Sequence, residues 1–301
     1  MKLLDCFLFF NEQELLEERI NALNGIVDVF IIIEFGETFS GQSKRQSIDL
    51  SVFGDEIYQK IKYCFIPKTN FFGKDDCLAR TNLDRNLIWK HSNKPPKNLH
   101  ESNLREINQR DSIASLIWDY AEDIDLIMVS DIDEIPDPLV LQKLKINFKK
   151  YLGKILYLEM DWRIFYSDLK CNDPWYGTYI TNKARLKSFS VDELRVSSKI
   201  QGNPDGEVIE KAGVHLSYLG GLVAVKRKLD ALGAQGMRVR VSKLLVNRFP
   251  KLVVYLMKIG FDLLLQGRTL KLIEKSEISY LSSKFMRKYS LSNTGNTTDE
   301  S

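Results

Sequence analysis

The chain has 301 residues, 44% of them hydrophobic and 28% charged, with a net charge of +3. That is the balance of a soluble globular protein, long enough for one large or two small domains. No uncharged apolar run approaches the roughly 18 residues of a membrane-spanning helix, and the apolar run Cys6 to Phe10 is too short for a signal peptide.

The four cysteines, Cys6, Cys64, Cys77 and Cys171, have neither C-x-x-C nor zinc spacing. They read as reduced thiols, so the expected location is the cytoplasm. Charge is unevenly spread. Between Lys226 and Tyr289 there are 15 Lys/Arg against 4 Asp/Glu, which leaves residues 1 to 225 net acidic. An acidic front and a basic back point the back towards an anionic partner.

In chain order, Leu3 to Phe10 reads as a strand. Leu15, Leu16, Arg19, Ile20 and Leu23 then recur at helical spacing, with Gly25 as the stop. Val29 to Ile33 is a second buried strand ending in Glu34. Strand, helix, strand within about 30 residues is a βαβ unit and implies a parallel sheet. Glu34 leaves that sheet beside the loop Phe35 to Gly41, where an acid suits a ribose hydroxyl or is simply a solvated strand end.

Ile61 to Ile66 reads as a third strand closed by Pro67. Residues 68 to 100 read as a long surface loop with a helix around Leu78 to Trp89. A further helix opens near Glu101, with Ile107, Ile113, Leu116, Ile117 and Tyr120 on its apolar face. Its Arg110 is the side chain best suited to fork onto a diphosphate, or equally to pair with Glu106 on an exposed face.

Leu126 to Val129 is a short buried-strand run that delivers Ser130-Asp131-Ile132-Asp133-Glu134-Ile135-Pro136. Acids at the C-terminal edge of a parallel strand lie where open α/β sheets bind ligands. Two carboxylates supply part of a Mg²⁺ or Mn²⁺ shell and leave room for phosphate oxygens. An EF-hand loop is excluded, because Ile135 and Pro136 stand where an oxygen ligand and a glycine belong.

Ile155 to Met160 is expected as another strand, followed by Asp161 and the aromatics Trp162, Phe165 and Tyr166. Trp175 and Tyr176 come from a turn-rich stretch and either stack on sugars or pack in a core. Asn203 to Gly206 is a turn signal. His215, on an apolar stretch before Gly220-Gly221, is structural or a third metal ligand that would favour Mn²⁺. From Val241 to Arg268, cations flank a helical face of Leu252, Tyr255, Leu256, Ile259 and Leu263, which fits an interfacial helix on anionic lipid or a packed helix with solvated lysines. Residues 290 to 301 read as a polar, disordered tail.

Taken together, several stretches resemble glycosyltransferase family 17: Asp5 to Glu12, Ile33-Glu34 with Thr38 to Gly41, Arg105-Glu106 with Gln109-Arg110, Val129 to Pro136, and Gly213 to Tyr218. The resemblance implies a GT-A-like α/β fold, a mostly parallel twisted sheet flanked by helices. It also implies a UDP-linked sugar donor, a divalent metal and inversion at the anomeric carbon. Asp131 and Asp133 match the family's metal-diphosphate motif, and His215 lies in its Gly-x-His-x-Ser stretch, with Val214 where relatives carry tryptophan. Phe9, Asn11, Glu34, Thr38, Gly41, Arg105, Gln109, Arg110 and Ser130 then fall to the nucleotide-sugar. Gly233 to Gly236 stands where relatives place a further histidine.

The expected organisation is a transferase domain over 1–225, a basic helical C-terminal appendage over 226–289, and the tail. The expected reaction is transfer of N-acetylglucosamine or a related hexose to a glycan or lipid-linked glycan hydroxyl. Asp161 is the first candidate for general base, with Glu134, Glu207 and Glu210 as alternatives. The C-terminal region is expected at the inner face of the plasma membrane, and no nucleic acid is expected as partner. The rivals are a non-catalytic nucleotide-sugar-binding protein on the same fold and a metal-dependent nucleotidyltransferase. The second should carry a Gly-rich phosphate loop after its first strand, where this chain has Phe9-Phe10-Asn11-Glu12.

Overall fold

A computed structural model describes residues 1–68, 101–187, 189–197, 206–222, 224–226, 237–264, 267–273 and 278–293. The expected helix at Leu78 to Trp89, most of the turn at Asn203, the stretch Gly233 to Gly236 and most of the tail lie outside them.

In chain order the elements are β1 (Leu3–Phe9), α1 (Gln13–Leu23), β2 (Val29–Phe35), α2 (Asp55–Lys60), β3 (Ile61–Ile66), α3 (Glu101–Asp111) and α4 (Ile113–Tyr120). Next come β4 (Leu126–Asp131), β5 (Glu134–Pro136), α5 (Pro138–Ile146), β6 (Ile155–Ile164), β7 (Leu169–Cys171) and β8 (Trp175–Thr181). The rest are α6 (Lys183–Leu186), α7 (Val191–Ser197), β9 (Gly206–Ser217), α8 (Met237–Arg248), α9 (Pro250–Lys258), β10 (Leu270–Leu272) and α10 (Ser283–Lys288). This is an α/β fold with a mixed sheet.

The chain divides into two compact units, Met1–Ile132 with Pro138–Leu158 and Tyr176–Glu210, and Asp133–Asp137 with Glu159–Trp175 and Lys211–Ser301. In the first unit β3, β2, β1 and β4 run parallel, and β8 is antiparallel to β4. Alternate residues of three strands face one core: Leu4 and Cys6 of β1, Ile31 and Ile33 of β2, Ile127 and Val129 of β4. They pack with Ile113 and Ile117 of α4 and with Val191 and Leu194 of α7. The intervening residues Phe7, Phe30, Ile32 and Met128 are buried too. A strand covered on both faces reads as an unbroken apolar run, as β1, β2 and β4 do.

In the second unit β5 pairs antiparallel with β9, and β7 pairs antiparallel with β6 and with β10. Its core joins Ile164, Phe165, Leu169 and Cys171 to Val246, Val253, Met257, Leu263 and Leu270. The C-terminal helices therefore share a core with β6 and β7 rather than standing apart as an appendage.

Three further expectations shift. The single helix expected from Glu101 to Tyr120 is two, parting at Ser112, whose Oγ donates to the Gln109 carbonyl at 2.6 Å. A hydroxyl bonded to its own backbone competes with the helix ladder in this way. The strand expected to end at Met160 runs to Ile164, so Asp161 and Trp162 are strand residues. The apolar face expected from Leu252 to Leu263 is cut short where α9 ends at Lys258, with Leu263 fully buried and Leu252, Tyr255 and Ile259 exposed.

Candidate functional site

The parallel register of the first unit places Leu8 beside both Ile33 and Asp131, and Phe9 beside Glu34. The candidate residues of β1, β2 and β4 thus reach one C-terminal edge, where such sheets bind ligands.

Beneath that edge lies a buried ion pair. Asp5 of β1 and Arg19 of α1 are both fully buried. Arg19 Nε and Nη2 donate to the Asp5 carboxylate at 2.8 and 2.6 Å, and Nη2 also reaches Ser130 Oγ at 2.6 Å. Nη1 donates to the carbonyls of Asp131 at 3.2 Å and Ile132 at 3.4 Å. One guanidinium therefore fixes the backbone on which the Asp-x-Asp is carried, and it takes up Ser130 as well. The signal for this pair was present: an arginine at a core position of α1 and an aspartate inside an apolar strand.

The Asp131 side chain is held by two more arginines. Arg110 Nη1 donates to Oδ1 at 2.6 Å, Arg110 Nη2 lies 3.3 Å from Oδ2, and Arg195 of α7 pairs with Oδ2. Arg110 also meets Glu106 at 3.0 Å and Asp192 at 3.6 Å, and Arg195 donates to the Gly177 carbonyl at 3.0 Å. Both guanidiniums are buried. Arg195 had no local sequence signal, since its partner lies 64 residues away.

Glu34 is fully buried and filled by the loop that follows it. Lys44 pairs with it, and it accepts from Ser47 N and Oγ at 2.8 Å each, Ile48 N at 3.3 Å and Tyr63 Oη at 2.9 Å. Burial alone would push its pKa up. The hydrogen bonds from Lys44, Ser47 and Tyr63 outweigh that and hold it below the ordinary glutamate value. A ribose hydroxyl would have to displace one of these donors. Ser47 Oγ also lies 2.5 Å from Asn11 Oδ1, so Asn11 joins the same cluster.

Helix α3 organises the next loop. Arg105 Nη1 donates to the Phe39 carbonyl at 3.0 Å and Gln109 Nε2 to the Glu37 carbonyl at 3.3 Å. Thr38 Oγ1 accepts from Gln42 N at 3.1 Å. Gly41 has φ +84°, and a Cβ there would stand 3.0 Å from the Arg105 guanidinium. The backbone angle favours glycine, and a Cβ would also press on the arginine.

The second unit holds the remaining candidates. Pairing of β5 with β9 sets Glu134 opposite His215. Glu134 is fully buried and accepts from Trp175 Nε1 at 2.6 Å. The His215 ring lies 4.4 Å from that of Trp175 and stacks at 6.0 Å on Trp162, whose Nε1 donates to Ser217 Oγ at 2.8 Å. The Arg268 guanidinium covers Trp162 at 4.8 Å. Asp161 stands apart from this cluster's hydrogen bonds in two ion pairs, with Arg163 at 2.7 Å and Lys170 at 3.0 Å.

The expected metal ligands divide. Asp131 has its carboxylate oxygens in arginine pairs, which leaves it poorly suited to a cation. Asp133 Oδ1 and His215 Nε2 lie 3.5 Å apart, and His215 Nδ1 is buried without a hydrogen-bond partner among the described residues. No group of three or more His, Cys, Asp and Glu side chains among the described residues could hold a metal ion. Asp133 offers a carboxylate oxygen and His215 an imidazole nitrogen, donor types that divalent cations accept.

The sequence profile of glycosyltransferase family 17 matches residues 1–219. No curated protein sequence matches the chain. Among solved structures, that of S. aureus TarS 1-349 is 11% identical with a TM-score of 0.36, covering 83% of this chain and 73% of that one. The same protein in complex with UDP-GlcNAc is 10% identical with a TM-score of 0.38, covering 82% and 73%. Its complex with UDP is 11% identical with a TM-score of 0.39, covering 87% and 76%. Likeness at these scores adds nothing to the family match.

Proposed function

The chain belongs to glycosyltransferase family 17, and from that premise we propose that it is an inverting enzyme with a GT-A-like fold. It moves a hexose, N-acetylglucosamine or a relative, from a UDP donor to a glycan or lipid-linked glycan hydroxyl. The observation that carries the reading is the cluster of Asp133, Glu134, Trp175 and His215, where a buried carboxylate, aromatic faces and a carboxylate–imidazole pair meet.

Glu134 is the proposed general base. Its carboxylate is buried and oriented by the Trp175 indole, whereas Asp161 is held by Arg163 and Lys170, which supports Glu134 over Asp161. In the proposed step the acceptor hydroxyl gives its proton to Glu134 as its oxygen bonds to the anomeric carbon. The bond to the diphosphate breaks on the opposite face, so configuration inverts. Trp162 and Trp175 offer faces on which a sugar ring stacks.

A divalent cation held by Asp133 and His215 would offset the charge of the departing diphosphate. In the first unit, Thr38, Gly41, Arg105 and Gln109, with Phe9, Asn11 and Glu34, are the proposed nucleotide-binding residues. Arg110, Arg195 and Ser130 are assigned to positioning the strand end. The free thiols Cys6, Cys64 and Cys171 support a reducing, cytoplasmic setting.

The test is thermal melting of the whole protein with UDP, GDP and UDP-N-acetylglucosamine, with Mn²⁺ or EDTA. A ligand present at about 100 times its Kd stabilises the native state by about 2.7 kcal/mol. The expected result is a uridine-specific, metal-dependent rise that Asp133→Ala abolishes and Glu134→Gln keeps while losing turnover. Absence of a shift with every nucleotide overturns the donor assignment. Full turnover in Glu134→Gln overturns the base.

A further inference from the structure

Helices α8 and α9 each bury one side and expose large apolar side chains on the other. In α8, Ser242 and Val246 are buried while Met237, Val241 and Leu244 are exposed, Leu244 by 61%. These exposed residues are four and three apart, a single stripe of a helix. In α9, Val253 and Met257 are buried while Leu252 and Tyr255 are exposed, and Ile259, at its C-terminal cap, is exposed by 66%. Phe249, at the joint of the two helices, is half exposed. Monomeric proteins rarely leave so many large apolar residues together in water.

Charge on the same stretch is of one sign. From Met237 to Phe261 the sequence carries six Lys/Arg and no Asp or Glu. Arg240, Arg248, Lys251 and Lys258 are exposed. Apolar stripes interleaved with cations match the boundary layer of an anionic bilayer, where phosphates and acyl chains lie within a few ångströms of each other. A nucleic acid would engage the cations and leave the leucines in water. A protein surface of mixed charge would find no acid to pair with its own cations.

We propose that α8 and α9 form a docking surface for anionic lipid, laid flat in the interface. Among the described residues no helix is long and apolar enough to cross a membrane, and the attachment proposed here is peripheral. The inference stands on these two helices alone and is independent of the donor, metal and base assigned above.

The test is co-sedimentation of the whole protein with phosphatidylcholine vesicles, with or without about 30% phosphatidylglycerol, at low and high salt. Two double variants accompany it, Lys251→Glu/Lys258→Glu and Leu252→Ser/Ile259→Ser, each checked for an unchanged melting temperature. All four positions are exposed, so the fold tolerates them. The expected result is pelleting with anionic vesicles, weakened by salt and by about tenfold in each variant. Equal pelleting with neutral vesicles, no pelleting with either, or an apolar variant that binds like the wild type overturns the proposal. So does tighter binding to single-stranded RNA than to anionic vesicles.

Discussion

Arg19 and Asp5 meet where neither has access to water, and their worth lies in being together. Removing one partner leaves an uncompensated buried charge, which costs about 3–5 kcal/mol. Arg19→Met should therefore lower stability by about that amount in urea unfolding, and adding Asp5→Leu should recover part of the loss. A single variant as stable as the wild type would show that Arg19 does not carry the strand end. Glu34 gives a pH signature. Its folded pKa is depressed, so its stabilisation is full above the ordinary glutamate value of about 4.3 and is lost as pH falls through the folded value. Glu34→Gln should flatten the acid limb of the stability profile, read from melting temperatures across that range. At this scale the sequence showed residue types better than partners. Glu34, Arg110 and Asp133 could be picked out as candidates, but the saturation of Glu34 by Lys44 and Ser47 and the clasp of Arg195 on Asp131 depend on contacts across the fold.

Among the elements, the β5–β9 pair decides whether Glu134 and His215 face each other. Gly213 lies opposite Pro136, and a Cβ there would come within 2.5 Å of the Ile135 carbonyl and 2.7 Å of Pro136 Cα. Both are backbone atoms with no rotamer to change, so β9 itself would have to move. Gly213→Ala should lower stability by about 1–3 kcal/mol, as overpacking does. It should also shift the tryptophan emission of the Trp162–Trp175–His215 stack, and unchanged emission would count against this account. The parallel strands β1 to β4 were legible because continuous apolar runs mark strands buried on both faces. The break at Ser112 was not, since the apolar spacing runs on through it. Beyond Met160, the strand continues through Asp161 and Arg163, polar residues that end a strand by composition but pair here along β6.

At the scale of the whole chain, the family match ends at residue 219 while the second unit's core does not. Val225, Val246, Val253, Met257, Leu263, Leu264, Leu270 and Leu291 complete it. Each such side chain contributes about 1.5–3 kcal/mol when fully buried, so losing all of them together removes one side of the core against which β6 and β7 pack. Residues 1–219 expressed alone should therefore be insoluble or lack a cooperative melt, although they hold every residue assigned to the reaction. A sharp transition in that fragment would show the C-terminal helices to be dispensable for folding. The same discontinuity has a consequence in time. Phe165 is made long before Leu291, and at about 5–20 residues per second the interval is about 6–25 s. Throughout it, the apolar faces of β6 and β7 wait on the nascent chain without their partners. Slower translation lengthens that exposure, so slow codons placed after Cys171 should lower the yield of folded protein, and an unchanged soluble yield would count against this.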